Sequence, residues 1–168
     1  MKAILRSKTM KSPVGELTLV ASERGLAAIL WEDDDAERVR LGPLESSPSH
    51  PVLCQAERQL TDYFAGKLKK FTVPLDFISG TGFQKNVWAA LTTIPFGETR
   101  SYAQIAVQIG SPKAVRAVGA ANGKNPISII VPCHRVIGSN GKLTGFAGGL
   151  EMKAQLLKLE QPEALLLI

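Results

Sequence analysis

At 168 residues and 45% apolar composition the chain is long enough to bury a real core, in one compact domain or two small ones. No run of about 18 apolar residues suits a membrane span, and the first six residues lack the apolar segment of a secretion signal, so a cytoplasmic protein with no membrane association is expected. Two cysteines, Cys54 and Cys133, are too few for a disulfide framework and no Cys/His pair has zinc spacing, while the net charge of +5 lies wholly in one half, residues 1–80 carrying 11 Lys and Arg against 11 Asp and Glu and residues 81–168 carrying 9 against 4. That asymmetry favours a polyanionic partner for the second half, beside the plainer reading of a basic soluble surface.

Residues 2–31 hold the apolar stretches 17–20 and 26–31, separated by Ser22-Glu23-Arg24-Gly25 and preceded by the turn Ser12-Pro13-Val14-Gly15. Antiparallel strands joined by hairpins are predicted. The acidic cluster Glu32-Asp33-Asp34-Asp35 lacks the turn chemistry that would converge carboxylates on an ion, and reads as a solvated loop. Residues 41–51, rich in Gly, Pro and Ser, read as another loop. From Val52 the residues Leu53, Ala56, Leu60 and Phe64 recur at helical spacing until Gly66 ends the pattern, with Cys54 beside the stripe as a structural thiol. A strand over 71–77 is predicted next, and Ile78-Ser79-Gly80-Thr81-Gly82 forms the domain boundary, giving domains 1–80 and 81–168.

Three helices follow, over about 83–93, 101–109 and 112–122. Thr81 with Gln84 and Ser101 with Gln104 fit the capping box, and Ser111-Pro112 reads as a cap followed by proline at the first helical position. Only Gly110-Ser111 separates the last two, so they form a helix-turn-helix, with the strand and Gly-rich hairpin of residues 127–144 as a wing. The third helix carries one long cation, Arg116, among small residues including Ala117, Gly119 and Ala121. It is a poor reader of major-groove base edges but suits close approach to a backbone or minor groove; the alternative is a buried Ala/Val helix with Arg116 as surface charge.

The run Pro132-Cys133-His134-Arg135-Val136 carries the chemistry. A free thiol has a pKa of about 8.5 and needs a neighbour to become a nucleophile at neutral pH. His134 is the available base, and Glu160, at the end of a helix over 150–159, is placed to orient it. Neighbours on an extended strand point to opposite faces, so the two side chains are expected to communicate through a bend or a bridging water. A buried structural thiol is the alternative for Cys133.

This run, with Asn125-Pro126 upstream and Gly148-Gly149-Leu150 and Leu156-Leu157-x-x-Glu160 downstream, resembles the O6-alkylguanine-DNA alkyltransferases, in particular the bacterial Ogt type. The likeness is close over residues 81–160 and one of pattern over the first 80, where it includes Tyr63-Phe64-Ala65-Gly66. It implies a mixed α/β (α+β) protein, with an RNase H-like sheet-plus-helix domain of structural role followed by a winged helix-turn-helix domain that bears the active cysteine. The implied activity is direct-reversal DNA repair: Cys133 takes the alkyl group from O6-alkylguanine in duplex DNA, once only, with O4-alkylthymine left open as a second lesion. On that resemblance His134 deprotonates the thiol through a water, Glu160 holds the imidazole, Asn125 fixes the loop, and Tyr102 donates to N3 of the departing guanine. Arg116 fills the gap left by the flipped nucleotide, Lys153 hydrogen-bonds near the pocket, and the carbonyls of Cys133 and Val136 accept from the guanine amino group. Phe146 stands where many relatives have Tyr, and Ala147 where some have Ser, so Phe146 keeps a packing ring and Ala147 offers only its backbone N–H. Ser111, Ala117, Gly119 and Ala121 complete the expected DNA surface. No metal or other cofactor is implied; the expected partner is double-stranded DNA met through its minor groove by a monomer, with scope for cooperative assembly. Two rivals remain open from the residues alone: a Cys-His hydrolase, which would need an oxyanion hole, and a winged-helix DNA binder without chemistry.

Overall fold

The computed structural model describes residues 4–140 and 146–162, which fall into two compact units, Met1–Ile78 and Ser79–Ile168. The first holds a four-stranded sheet and one helix. Strands β1 (Leu5–Met10), β2 (Leu17–Ala21) and β3 (Leu26–Leu30) pair antiparallel in sequence, and β4 (Leu44–Ser46) adds parallel to β1, giving the order β3-β2-β1-β4. Helix α1 (Pro51–Phe64) lays Leu53, Ala56, Leu60 and Tyr63 against the sheet. Leu5, Val20 and Ala28 form a further cluster that Leu30, Val39 and Leu41 cover. With core on both sides, β2 and β3 read as nearly unbroken apolar runs rather than as an alternation.

Two expectations for this unit need correction. The loop over 41–51 contains β4, a strand too short and polar to announce itself, whose pairing partner is 39 residues away in sequence, as in Leu5 opposite Leu44. The strand expected over 71–77 is not one: the segment touches β3 through an isolated parallel bridge, Leu26 opposite Leu75. Leu26 N donates to Pro74 O and Asp76 N to Leu26 O, both at 2.8 Å. Pro74 has no N–H to extend that pairing into a ladder. In the acidic cluster, Asp34 accepts from Trp31 N at 3.1 Å and from Arg38 Nε at 2.7 Å, which makes it a local turn lock.

The second unit contains α2 (Gly82–Leu91), α3 (Tyr102–Gln108), α4 (Val115–Gly123) and α5 (Leu150–Glu160), with a two-residue parallel pairing of β5 (Arg100–Ser101) and β6 (Val136–Ile137). Both predicted capping boxes are present: Thr81 and Ser101 accept from the backbone N–H of Gln84 and Gln104, whose side chains reach back. Helix α3 ends in a Schellman motif, with Ser111 N donating to Ala106 O at 2.9 Å and Gly110 N to Val107 O at 3.0 Å, which requires the positive φ of 80° at Gly110. That motif displaces the next helix. Ser111 is tied to the end of α3, the chain turns once more through Ala114 N to Ser111 O, and α4 begins at Val115 with Ala114 as an uncapped start. The helix-turn-helix stands, with a longer turn than Gly110-Ser111 alone.

The strand expected over 127–131 is instead a tight turn. Ile130 N donates to Ser128 O and Val131 N to Ile127 O, both at 2.9 Å, and Ile129 takes a φ of 75°, unusual for a β-branched residue. The Asn125 carboxamide replaces a strand partner: its Nδ2 donates to Val131 O at 2.8 Å and its Oδ1 accepts from Ile127 N at 3.0 Å. The tip of the expected wing, residues 141–145, lies outside the described residues.

Candidate active site

The Asn125-braced turn delivers the chain to Cys133–Arg135, a single 3-10 turn rather than the end of a strand. At three residues per turn, successive side chains diverge by about 120° instead of the 180° of a strand, so Cys133 and His134 share one side of the local axis more closely than an extended chain allows. Cys133, His134 and Arg135 are all buried.

Helix α5 brings Glu160 to this turn. Its Oε2 lies 2.7 Å from His134 Nε2, its Oε1 accepts from Arg135 Nε at 2.7 Å, Arg135 Nη2 donates to Oε2 at 3.1 Å, and Gly97 N donates to Oε1 at 3.3 Å. Burial alone pushes a carboxyl up, but here the hydrogen bonds and charges of His134 and Arg135 prevail and hold Glu160 at about 2. His134 goes the other way from its ordinary value: burial lowers it, against the pull of Glu160, and the cations Arg135 and Lys153 add to the lowering. The imidazole is therefore neutral at pH 7 beside an ionised carboxylate. A carboxylate can only accept, so the ring hydrogen sits on Nε2 and Nδ1 keeps its lone pair. That Nδ1 is buried and has no hydrogen-bond partner among the described residues.

Lys153, on the first turns of α5, is fully buried and donates to Val136 O at 2.6 Å, with Nζ 6.0 Å from the centre of the Tyr102 ring. Burial lowers it from 10.5 to about 8, against an opposing pull from Cys133 close by. A cation next to the sulfur favours the thiolate. Tyr102 occupies the first position of α3, placed by the Ser101 capping box, and Gly119 of α4 lies beside its ring, where a Cβ would stand 3.9 Å from Cδ1.

Arg116 and Ala117 are exposed on α4, Gly119 and Ser111 are half-buried, and Phe146 and Ala147 are half-buried ahead of α5. Ala121 does not belong with them. The helical period turns it inward with Val118 and Asn122, it is 2% exposed, and its carbonyl accepts from Trp88 Nε1 at 2.8 Å. It is core rather than DNA surface.

Two residues were given no role by sequence reasoning. Arg135 ties Glu160 to the carbonyl of Ile94, where its Nη1 donates at 2.6 Å, and lies 5.8 Å from the Phe96 ring centre. Its signal was legible, since an arginine next to an apolar run needs an acid to be buried. Asn122, 3% exposed, donates from Nδ2 to Cys133 O at 3.4 Å; as a small polar residue before Gly123 it reads only as the end of a helix. Among the described residues no group of three His, Cys, Asp or Glu could hold a metal ion, and no helix is long and apolar enough to cross a membrane.

Comparison with known proteins bears on both units. The family model for the ribonuclease-like domain of 6-O-methylguanine DNA methyltransferase matches residues 5–77, and the model for its DNA binding domain matches residues 82–162. A methylated-DNA--protein-cysteine methyltransferase of Mycobacterium leprae is 48% identical over 162 residues, covering 96% of each chain. One from Methanosarcina acetivorans is 52% identical over 150 residues, covering 89% of this chain and 94% of the relative. The crystal structure of Mycobacterium tuberculosis OGT in complex with DNA aligns with a TM-score of 0.83 at 50% identity, covering 96% of this chain and 94% of that one. The buried Cys-His-Glu turn thus sits in a chain whose two halves both match one family, and the protein belongs to the 6-O-methylguanine DNA methyltransferases.

Proposed function

We infer that this protein repairs DNA by direct reversal, moving the alkyl group of O6-alkylguanine onto Cys133 Sγ. The observation that carries the reading is His134, held by Glu160 as a neutral ring whose buried Nδ1 lone pair is unpartnered one residue from Cys133. In this reading the thiol proton passes through a water to Nδ1, the thiolate attacks the alkyl carbon in line, an S–C bond forms and the C–O6 bond breaks. The electron pair leaves with the guanine, Tyr102 meets its charge by hydrogen bonding at N3, and the proton taken from sulfur ends on the base through solvent. Lys153 favours the attacking thiolate electrostatically.

The target atom lies inside the duplex, so the nucleotide is extruded, at a cost of a few kcal/mol. Exposed Arg116 on a slim helix suits filling the vacated stack from the minor groove, and the excess basic charge of residues 81–168 suits the DNA backbone. Residues 81–168 then form the DNA-binding and alkyltransferase domain, and residues 1–80 a structural one. The product is a thioether with nothing beside it to cleave it, so each molecule acts once. Mass spectrometry after mixing with duplex DNA bearing O6-methylguanine tests this: one methyl group on the Cys133 peptide, one lesion removed per protein, and no label in Cys133→Ser. Clearance of excess lesion by substoichiometric protein, or repair without label, would overturn it.

A further inference from the structure

The carbonyl of Cys133 cannot be the acceptor for the guanine amino group that the family likeness implies. It already accepts from the backbone N–H of Val136 and from Asn122 Nδ2. A peptide oxygen has two lone pairs, and both are engaged. Asn122 supplies what that carbonyl lacks. Its own Oδ1 is buried and has no hydrogen-bond partner among the described residues, in a side chain whose other end touches the nucleophile's backbone. Buried acceptors are nearly always satisfied, and an orphan beside a reactive group is a place for a ligand's donor.

We propose that Asn122 is a specificity residue whose Oδ1 accepts a hydrogen bond from the exocyclic 2-amino group of the alkylated guanine. The proposal rests on the alkyl-transfer reading above. Alkylation at O6 removes the proton from N1, so the amino group is the one N–H donor left on the pairing edge of the base. A pocket that tells alkylated guanine from alkylated bases lacking that group needs a buried acceptor there, and must leave it unpaired when the base is absent. Asn122 meets both conditions. Its Nδ2 is held by Cys133 O, which fixes the amide plane and prevents the oxygen from turning away. Because the same amide holds the backbone of the nucleophile, recognition of the base and placement of the sulfur depend on one side chain. The residue comes from the inward face of α4, the helix that carries Arg116 outward, so one element would serve both the flipped base and the gap it leaves.

The test compares single-turnover methylation of Cys133 by duplexes carrying O6-methylguanine or O6-methylhypoxanthine, which differ only in the 2-amino group. The wild-type protein should prefer the guanine by about tenfold or more, a factor worth about 1.4 kcal/mol and the size of one neutral hydrogen bond. In Asn122→Leu, which keeps the volume and loses the acceptor, the preference should fall towards unity. A purely structural role would slow both substrates by the same factor, leaving the ratio intact, and that result would overturn the proposal. Asn122→Ala, which adds no bulk, gives the same ratio test should the leucine variant fail to fold. If the wild-type protein took no methyl group from either duplex, the alkyl-transfer reading itself would fall, a different outcome from an unchanged preference.

Discussion

Glu160→Gln tests the electrostatics on which the site is built. In the folded protein the carboxyl sits at about 2, against an ordinary value of 4.5, because His134 and Arg135 hydrogen-bond to its charged form. A lowered carboxyl pKa contributes stability that is fully present above pH 4.5 and is lost as the pH falls through 2. At 1.36 kcal/mol per pH unit the contribution is about 3 kcal/mol. The glutamine variant cannot have it, and it also leaves the buried Arg135 guanidinium without its counter-charge, a defect worth about 3–5 kcal/mol at neutral pH. Urea denaturation between pH 7 and 2.5 should therefore show the variant several kcal/mol weaker at pH 7, with a gap that narrows by up to about 3 kcal/mol as the wild-type carboxyl protonates. The chain has two tryptophans, and Trp31→Phe in both proteins leaves Trp88, in the unit that holds Glu160, as the reporter. A gap that stays constant from pH 5 to 2.5 would refute the claim that Glu160 is an ionised partner of the pair.

Lys153 makes the converse prediction at alkaline pH. Its folded value of about 8 lies below 10.5, so the wild-type protein should gain about 3 kcal/mol on Lys153→Met as the pH rises from 8 to 10.5, read by the same denaturation; a flat difference would show that the amine is not desolvated. Thr81→Ala and Ser101→Ala should each cost about 1 kcal/mol in thermal unfolding, and the glycine variants only a few tenths, since both hydroxyls cap a helix; equal costs for Ala and Gly would deny the caps. Arg116→Ala should slow alkyl transfer from duplex DNA by about tenfold or more, part of the few kcal/mol of extrusion, without slowing transfer from free O6-benzylguanine; equal slowing would move Arg116 into the pocket.

The sequence by itself determined whatever depends on neighbours within one or two turns. The spacing of Leu53, Ala56 and Leu60 defined α1, and hydroxyl-to-amide pairs three residues apart defined the starts of α2 and α3, because those hydrogen bonds close locally. The thiol-imidazole run and its resemblance identified the family, and Glu160 as the partner of His134. What the tertiary structure alone decided involves bonds between distant residues. Residues 127–131 have the composition of a strand, but the Asn125 side chain satisfies their backbone and bends them into a turn, so the nucleophile is presented on a 3-10 turn. Ala121 and Asn122 follow one another in a helix of small residues, and only the packing of Trp88 and Cys133 shows that both face inward. The protonation of the site belongs to the same class. A histidine and a glutamate 26 positions apart have ordinary pKa values as isolated residues; their neutral and ionised states here follow from shared burial and from the Arg135 guanidinium, which no local pattern encodes.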